Sequence, residues 1–92
     1  MDKLEQLVLM DKIQRELDDL GHSQTALLKK ISQIEAHNMT LGVSLLDEKL
    51  PDLFEEVSSS VALVTELTET FAAHREKFFV DNNLAALQNP TV

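Results

Sequence analysis

Residues 10–45 decide the fold, and they read MDKIQRELDDLGHSQTALLKKISQIEAHNMTLGVSL. Apolar side chains recur along this stretch at seven-residue intervals. One line consists of Ile13, Leu20, Leu27, Ile34 and Leu41, and a second contains Met10, Leu17, Ile31 and Leu45. Spacings that alternate between three and four residues are typical of a helix that packs lengthwise against other helices. The sequence therefore predicts an all-α fold.

The composition indicates one small globular domain. The chain has 92 residues, of which 43% are hydrophobic and 26% charged, and it contains no cysteine. A chain of this length forms a single domain with a limited core, and no disulfide or thiolate metal site supports it. We expect residues 1–88 to form that domain and residues 89–92 to be a loose tail.

Charge and hydropathy narrow the expected partners and location. The net charge of −8 should repel nucleic acid and anionic lipid surfaces. The longest apolar run, residues 7–10, is too short to span a membrane. The amino terminus has no basic-then-apolar signal pattern, so we expect a cytoplasmic location.

The first helix is predicted to run from about residue 3 to residue 46. Gly21 could end a helix, and Ser23 could begin another. The heptad phase passes Gly21 without a slip, however, and Asp18 and Asp19 would be unfavourable in the last turn of a stopping helix. We therefore predict a continuous helix, and a turn at Gly21–Ser23 that would give a three-helix bundle is the alternative.

A break is predicted at residues 47–51, because proline disfavours helix in the residue that precedes it and is favoured at a first helical position. The second helix should then run from about Pro51 to Val80. A strict seven-residue line identifies its buried side, namely Leu50, Val57, Val64, Phe71 and Phe78. The small residues Ser58–Ser60 would let another helix approach closely, and a further short helical turn can follow Val80.

These lengths predict that one copy cannot cover its own apolar surface. A first helix of about 44 residues is about 66 Å long and would extend past a second helix of about 30 residues. We expect apolar residues at the amino-terminal end and near the turn to contact another chain. The predicted interface residues are Leu4, Leu7, Val8, Met10, Ile13, Leu17, Met39, Val43 and Leu46.

The predicted architecture is therefore a long antiparallel helical hairpin, about 3–46 and 51–80, that assembles as a four-helix bundle. The expected partner is a second copy or a helical protein of another kind, since pairing two hairpins encloses a core that one hairpin lacks. We infer no small-molecule substrate.

No catalytic or cofactor pattern is present in the sequence. Two glycines cannot form a phosphate-binding loop, and no glutamate has a histidine three residues later, as di-iron bundles require. A hairpin folded about residues 48 and 49 would bring His22 near His74 and Arg75, but isolated surface histidines are the simpler interpretation. We predict no enzyme activity, no cofactor and no metal.

The functional prediction is a non-enzymatic helical interaction or assembly subunit that buries amphipathic helix faces against another chain, a class that includes small chaperone-like proteins. The alternative is an acidic regulator, antitoxin-like or a nucleic-acid mimic, that binds a basic protein surface. The two differ in salt dependence, because screening weakens charge-driven association more than apolar association.

Overall fold

The computed structural model describes residues 1–88. Two long helices, α1 (Lys3–Leu41) and α2 (Ser44–Asp81), pack against each other as a hairpin, and a short helix α3 (Leu84–Gln88) follows. The prediction of an all-α helical hairpin is confirmed. The four-helix bundle is not present within this chain, whose described part contains two long helices and one short one.

Helix α1 begins at a capping box. Asp2 Oδ1 accepts a hydrogen bond from the Glu5 backbone N–H at 2.8 Å, and Glu5 Oε1 accepts one from the Asp2 N–H at 3.2 Å. Both carboxylates also lie at the positive end of the helix dipole, which favours negative charge.

Gly21 lies inside α1, so the predicted continuous helix is confirmed and the three-helix alternative is wrong. A Cβ atom built on Gly21 would lie 3.8 Å from Val64 Cγ1, an ordinary contact distance. Gly21 therefore faces α2. A single glycine costs only about 1 kcal/mol in a helix relative to alanine, which the packing of the surrounding turns offsets.

The chain turns at residues 42 and 43, and the predicted break at residues 47–51 is wrong. Gly42 ends α1 in the left-handed region, at φ 72°, where a residue without Cβ is favoured. Asn38 then fixes the turn with its side chain. Its Oδ1 accepts from the Val43 N–H at 2.8 Å, and its Nδ2 donates to the Val43 carbonyl oxygen at 3.1 Å and to Asp47 Oδ1 at 2.8 Å.

Pro51 consequently lies inside α2 and does not open it. It is the eighth residue of that helix, so it lacks the N–H that would otherwise bond to the Asp47 carbonyl oxygen. The capping of the turn by Asn38 and Gly42 outweighs this local preference. The first helix is thus shorter than predicted, and the second begins seven residues earlier.

The interior of the hairpin is a single seam between α1 and α2. On α1 it is formed by the line Met10, Leu17, Gln24, Ile31 and Asn38 together with the line Leu7, Gln14, Gly21, Leu28 and Glu35. On α2 the predicted line Leu50, Val57, Val64, Phe71 and Phe78 is buried or half-buried. Opposed residues have numbers that add to about 85, as Gly21 and Val64 do.

Both long helices have nearly the same length, 39 and 38 residues, so the predicted overhang of α1 is wrong. Helix α3 contacts both of them at the open end of the hairpin. Leu7 and Leu84 there are the most completely buried side chains, each with no exposed surface. The predicted helical turn after Val80 is confirmed, and it covers part of the surface that was expected to need another chain.

The chain is nonetheless thin and extended. Its dimensions are 69 × 20 × 17 Å. The radius of gyration is 20.3 Å, whereas a compact domain of this length has about 12 Å. The accessible surface is 6907 Å², against about 5,400 Å² for a typical folded monomer of the same mass. The excess indicates a fold with little enclosed volume.

Candidate protein-interaction surface

One line of large apolar residues on α1 remains outside the hairpin seam. Leu27 is 53% exposed and Leu41 is 69% exposed, and the others are exposed by more than a third. We call this line the α1 ridge. It consists of Ile13, Leu20, Leu27, Ile34 and Leu41.

A matching line lies on α2, and we call it the α2 ridge. Leu53 and Leu67 are about half exposed, Leu46 is half-buried, and the small residue Ser60 lies between them in the seven-residue series. A shallow groove continues outward from this ridge and is lined partly by Leu63 and Leu67. The α2 ridge consists of Leu46, Leu53, Ser60 and Leu67.

Both ridges lie on the same side of the hairpin. A groove on the other side is bordered by Asp18 and Thr25 of α1 and by Thr65 of α2. Leu27 follows Thr25 by two residues and Leu67 follows Thr65 by two, which is a rotation of about 200° around each helix. We therefore call the two ridges together the apolar face, and the side that carries Asp18, Thr25 and Thr65 the polar face.

The polar face contains the main ion pair between the two helices. Arg75 Nε donates to Asp11 Oδ1 at 2.8 Å, and Arg75 Nη2 donates to Asp11 Oδ2 at 3.3 Å. The guanidinium group also lies 5.1 Å from the centre of the Phe79 ring. The hydrogen bond with Asp11 raises the pKa of Arg75 above its ordinary value. This face is thus charged and internally paired.

The line of α1 that faces the hairpin interior is less apolar than the α1 ridge, which faces outward. The interior line contains Gln14, Gly21 and Glu35, whereas every member of the α1 ridge is a leucine or isoleucine. Two amide oxygens are buried among the described residues without a hydrogen-bond partner there, Gln14 Oε1 and Gln24 Oε1. An exposed line made only of leucine and isoleucine is consistent with a second packing surface.

The nine predicted interface residues are distributed over several environments. Leu7 is buried within the chain, and Leu4, Met10, Leu17 and Leu46 are half-buried in or beside the seam. Val8, Ile13, Met39 and Val43 are exposed, Met39 by 88%. Of these, Ile13 and Leu46 belong to the apolar face.

The predicted interface does not include the rest of the apolar face, although the sequence predicts a close helix approach at Ser60. These residues are Leu20, Leu27, Ile34, Leu41, Leu53, Ser60 and Leu67. The sequence signal for this face is the strict seven-residue line on α1, which indicates a line that packs against a helix. Two adjacent lines with the same period share residues 10, 17, 24, 31 and 38, and the period alone does not say which flank the second helix covers.

The histidine pair considered from the sequence is not formed. Because the numbers of opposed residues add to about 85, His22 lies opposite residue 63 along the hairpin, and His74 lies opposite Asp11. His74 stacks instead on Phe71, with ring centres 6.2 Å apart. Among residues 1–88, no group of three histidine, aspartate or glutamate side chains is arranged to hold a metal ion.

None of the helices in the described part of the chain combines the length and hydropathy needed to cross a membrane. In comparisons with known proteins, no family model matches the chain, and no similar curated protein or solved structure is found.

Proposed function

We propose that this protein is a non-enzymatic helical interaction subunit, which binds another polypeptide by burying its apolar face against that polypeptide's helices. The observation that carries the proposal is the α1 ridge, where Ile13, Leu20, Leu27, Ile34 and Leu41 are all more than one-third exposed. Their seven-residue period is the one that a packing helix requires.

The energetics support a binding role. Complete burial of a leucine or isoleucine side chain contributes about 1.5–3 kcal/mol, so covering a half-exposed one gains roughly 1 kcal/mol. Seven of the eight leucines and isoleucines of the apolar face are more than one-third exposed. The free energy gained by burying them all is similar to the lower end of the cost of association, which is about 4–15 kcal/mol. Contacts at the rim of the interface would add to the gain.

Site-specific photo-crosslinking tests this proposal. A benzophenone amino acid replaces Leu27 on the apolar face, and in a matched variant it replaces Thr25, which is exposed on the polar face. Light-dependent crosslinks from position 27 to a polypeptide, retained in about 1 M salt, are expected because apolar association is poorly screened. Equal crosslinking from both positions would overturn the proposal.

One observation favours the second candidate, an acidic regulator that binds a basic protein surface. Asp52, Glu55 and Glu56 line one groove on α2, and the whole chain has a net charge of −8. In that case crosslinks would arise from a probe at Glu55 and would disappear between about 0.05 and 0.5 M salt, as the screening length shortens.

A further inference from the structure

We propose that the polypeptide that covers the apolar face is a second copy of this chain, and that the two-fold axis runs along the length of the hairpin. Helix α1 of each copy then packs on α2 of the other, and the four helices form an antiparallel bundle. This inference rests on the proposed function of the apolar face and adds its occupant and orientation.

The size of the apolar face agrees with a dimer interface. Residues 13–41 of the α1 ridge extend over about 42 Å, and the hairpin is 20 Å wide. The projected area is therefore about 840 Å², close to the roughly 800 Å² that each partner contributes to a standard protein interface. Because two parallel ridges form this face, a two-helix surface fits it better than a single helix does.

The two ridges are also complementary in register. Since opposed residues add to about 85, Leu27 is level with residue 58. A rotation about the long axis preserves this level, so that Leu27 meets the partner subunit's Ser60. By the same relation Leu20 meets the partner subunit's Leu67. The largest gap in the α2 ridge thus receives a leucine, and large residues alternate with a small one as in a packed bundle.

Charge selects this orientation over the other two-fold arrangement. Helix α1 carries five basic and six acidic residues, a net charge of −1, whereas α2 carries three basic and nine acidic residues, a net charge of −6. An axis across the hairpin would place α2 beside the other α2, about 10 Å away. The axis along the hairpin places each α2 beside an α1, with the two α2 helices on the diagonal, and brings Lys30 near the partner subunit's Glu56.

The first experiment measures the molar mass of the whole chain by sedimentation equilibrium. We expect twice the chain mass of 10.3 kDa. Leu20→Glu and Leu27→Glu should each halve that mass, because each places a charge in the interface. The matched polar-face variant Thr25→Glu should leave it unchanged. A wild-type mass of one chain at all concentrations, or an unchanged mass in both glutamate variants with their helicity intact, would overturn the dimer.

The second experiment determines the orientation and uses the absence of native cysteine. Leu27→Cys and Ser60→Cys proteins are mixed, exchanged and oxidised, and we expect a disulfide between the two variants. Leu27→Cys alone should not form a disulfide-linked dimer. Efficient self-linkage of Leu27→Cys would show an axis across the hairpin and overturn the orientation. Thr25→Cys mixed with Thr65→Cys is the polar-face control, which should not link.

A monomeric chain in these experiments would not by itself contradict the proposed function. If the chain is monomeric but the Leu27 probe still crosslinks to another polypeptide, the second copy is wrong and the interaction surface stands. If the chain is monomeric and the Leu27 probe crosslinks no more than the Thr25 probe, both proposals fail.

Discussion

The side chain of Asn38 closes the turn by bonding to both backbone groups of Val43: it accepts from the Val43 N–H at 2.8 Å and donates to the Val43 carbonyl oxygen at 3.1 Å. Asn38 is 3% exposed, the only buried polar residue in the described chain, and a third hydrogen bond joins it to Asp47. One amide therefore holds the end of α1, the turn and the start of α2 together.

Asn38→Ala should lower the free energy of unfolding by about 2–3 kcal/mol, since it removes the three hydrogen bonds of a buried amide, including the one that pairs the Val43 N–H. Urea denaturation followed by circular dichroism measures the change. Gln33→Ala, at an exposed position of the same helix, is the control and should change stability by less than about 0.5 kcal/mol. Equal stability of the two variants would contradict the role assigned to Asn38.

The two glycines should respond to alanine with opposite signs. Gly21→Ala should stabilise by about 1 kcal/mol, because the residue is helical and its new Cβ atom would meet Val64 Cγ1 at an ordinary 3.8 Å. Gly42→Ala should destabilise by about 1–2 kcal/mol, because φ there is +72°. Thermal melts of the two variants test this, and a shift of the same sign in both would count against the turn at residue 42.

Gln24→Leu should raise stability by about 1–2 kcal/mol, since the buried Gln24 Oε1 has no hydrogen-bond partner among the described residues. The same substitution at exposed Gln33 is the control and should be nearly neutral. The midpoint of urea unfolding is the measurement. A clear loss of stability in Gln24→Leu would mean that this amide has a partner, as a polar residue that fixes the register of a bundle would.

Leu84→Ala should cost about 2–4 kcal/mol, because its side chain has no exposed surface and its loss leaves a cavity at the open end of the hairpin. Val80→Ala removes an apolar side chain that is 64% exposed and serves as the comparison. Hydrogen exchange in the first turns of α1 should also accelerate in Leu84→Ala. If exchange there is unaffected, α3 does not stabilise that end.

The seven-residue spacing in the sequence predicts two long packed helices, but it does not predict which side of α1 faces α2. Residues 10, 17, 24, 31 and 38 belong to both apolar stripes of α1, so the repeat is satisfied whether Leu28 or Leu27 enters the seam. That choice depends on how α2 leaves the turn, which is a three-dimensional property. The apolar face was therefore visible as a pattern, but its exposure was not.

The position of the turn could not be read from local preferences. Pro51 is the stronger breaker in the sequence, yet Gly42 ends the helix because Asn38 reaches five and nine residues ahead to bond Val43 and Asp47. Such contacts exist only after the chain has reversed. Because the turn lies earlier in the chain than predicted, the predicted overhang of α1 is wrong. The residue predicted to lie opposite His22 is wrong for the same reason.

The left-handed conformation of Gly42 also decides the length of the molecule. Only residues 42 and 43 separate the two long helices. With right-handed helical dihedrals at both, residues 3–81 would form one rod of about 118 Å, far longer than the 69 Å of the hairpin. Two such rods could pair side by side, and the contacts that α1 and α2 make within one chain would then form between two chains. The conformation of residues 42 and 43 therefore distinguishes the hairpin from a domain-swapped dimer.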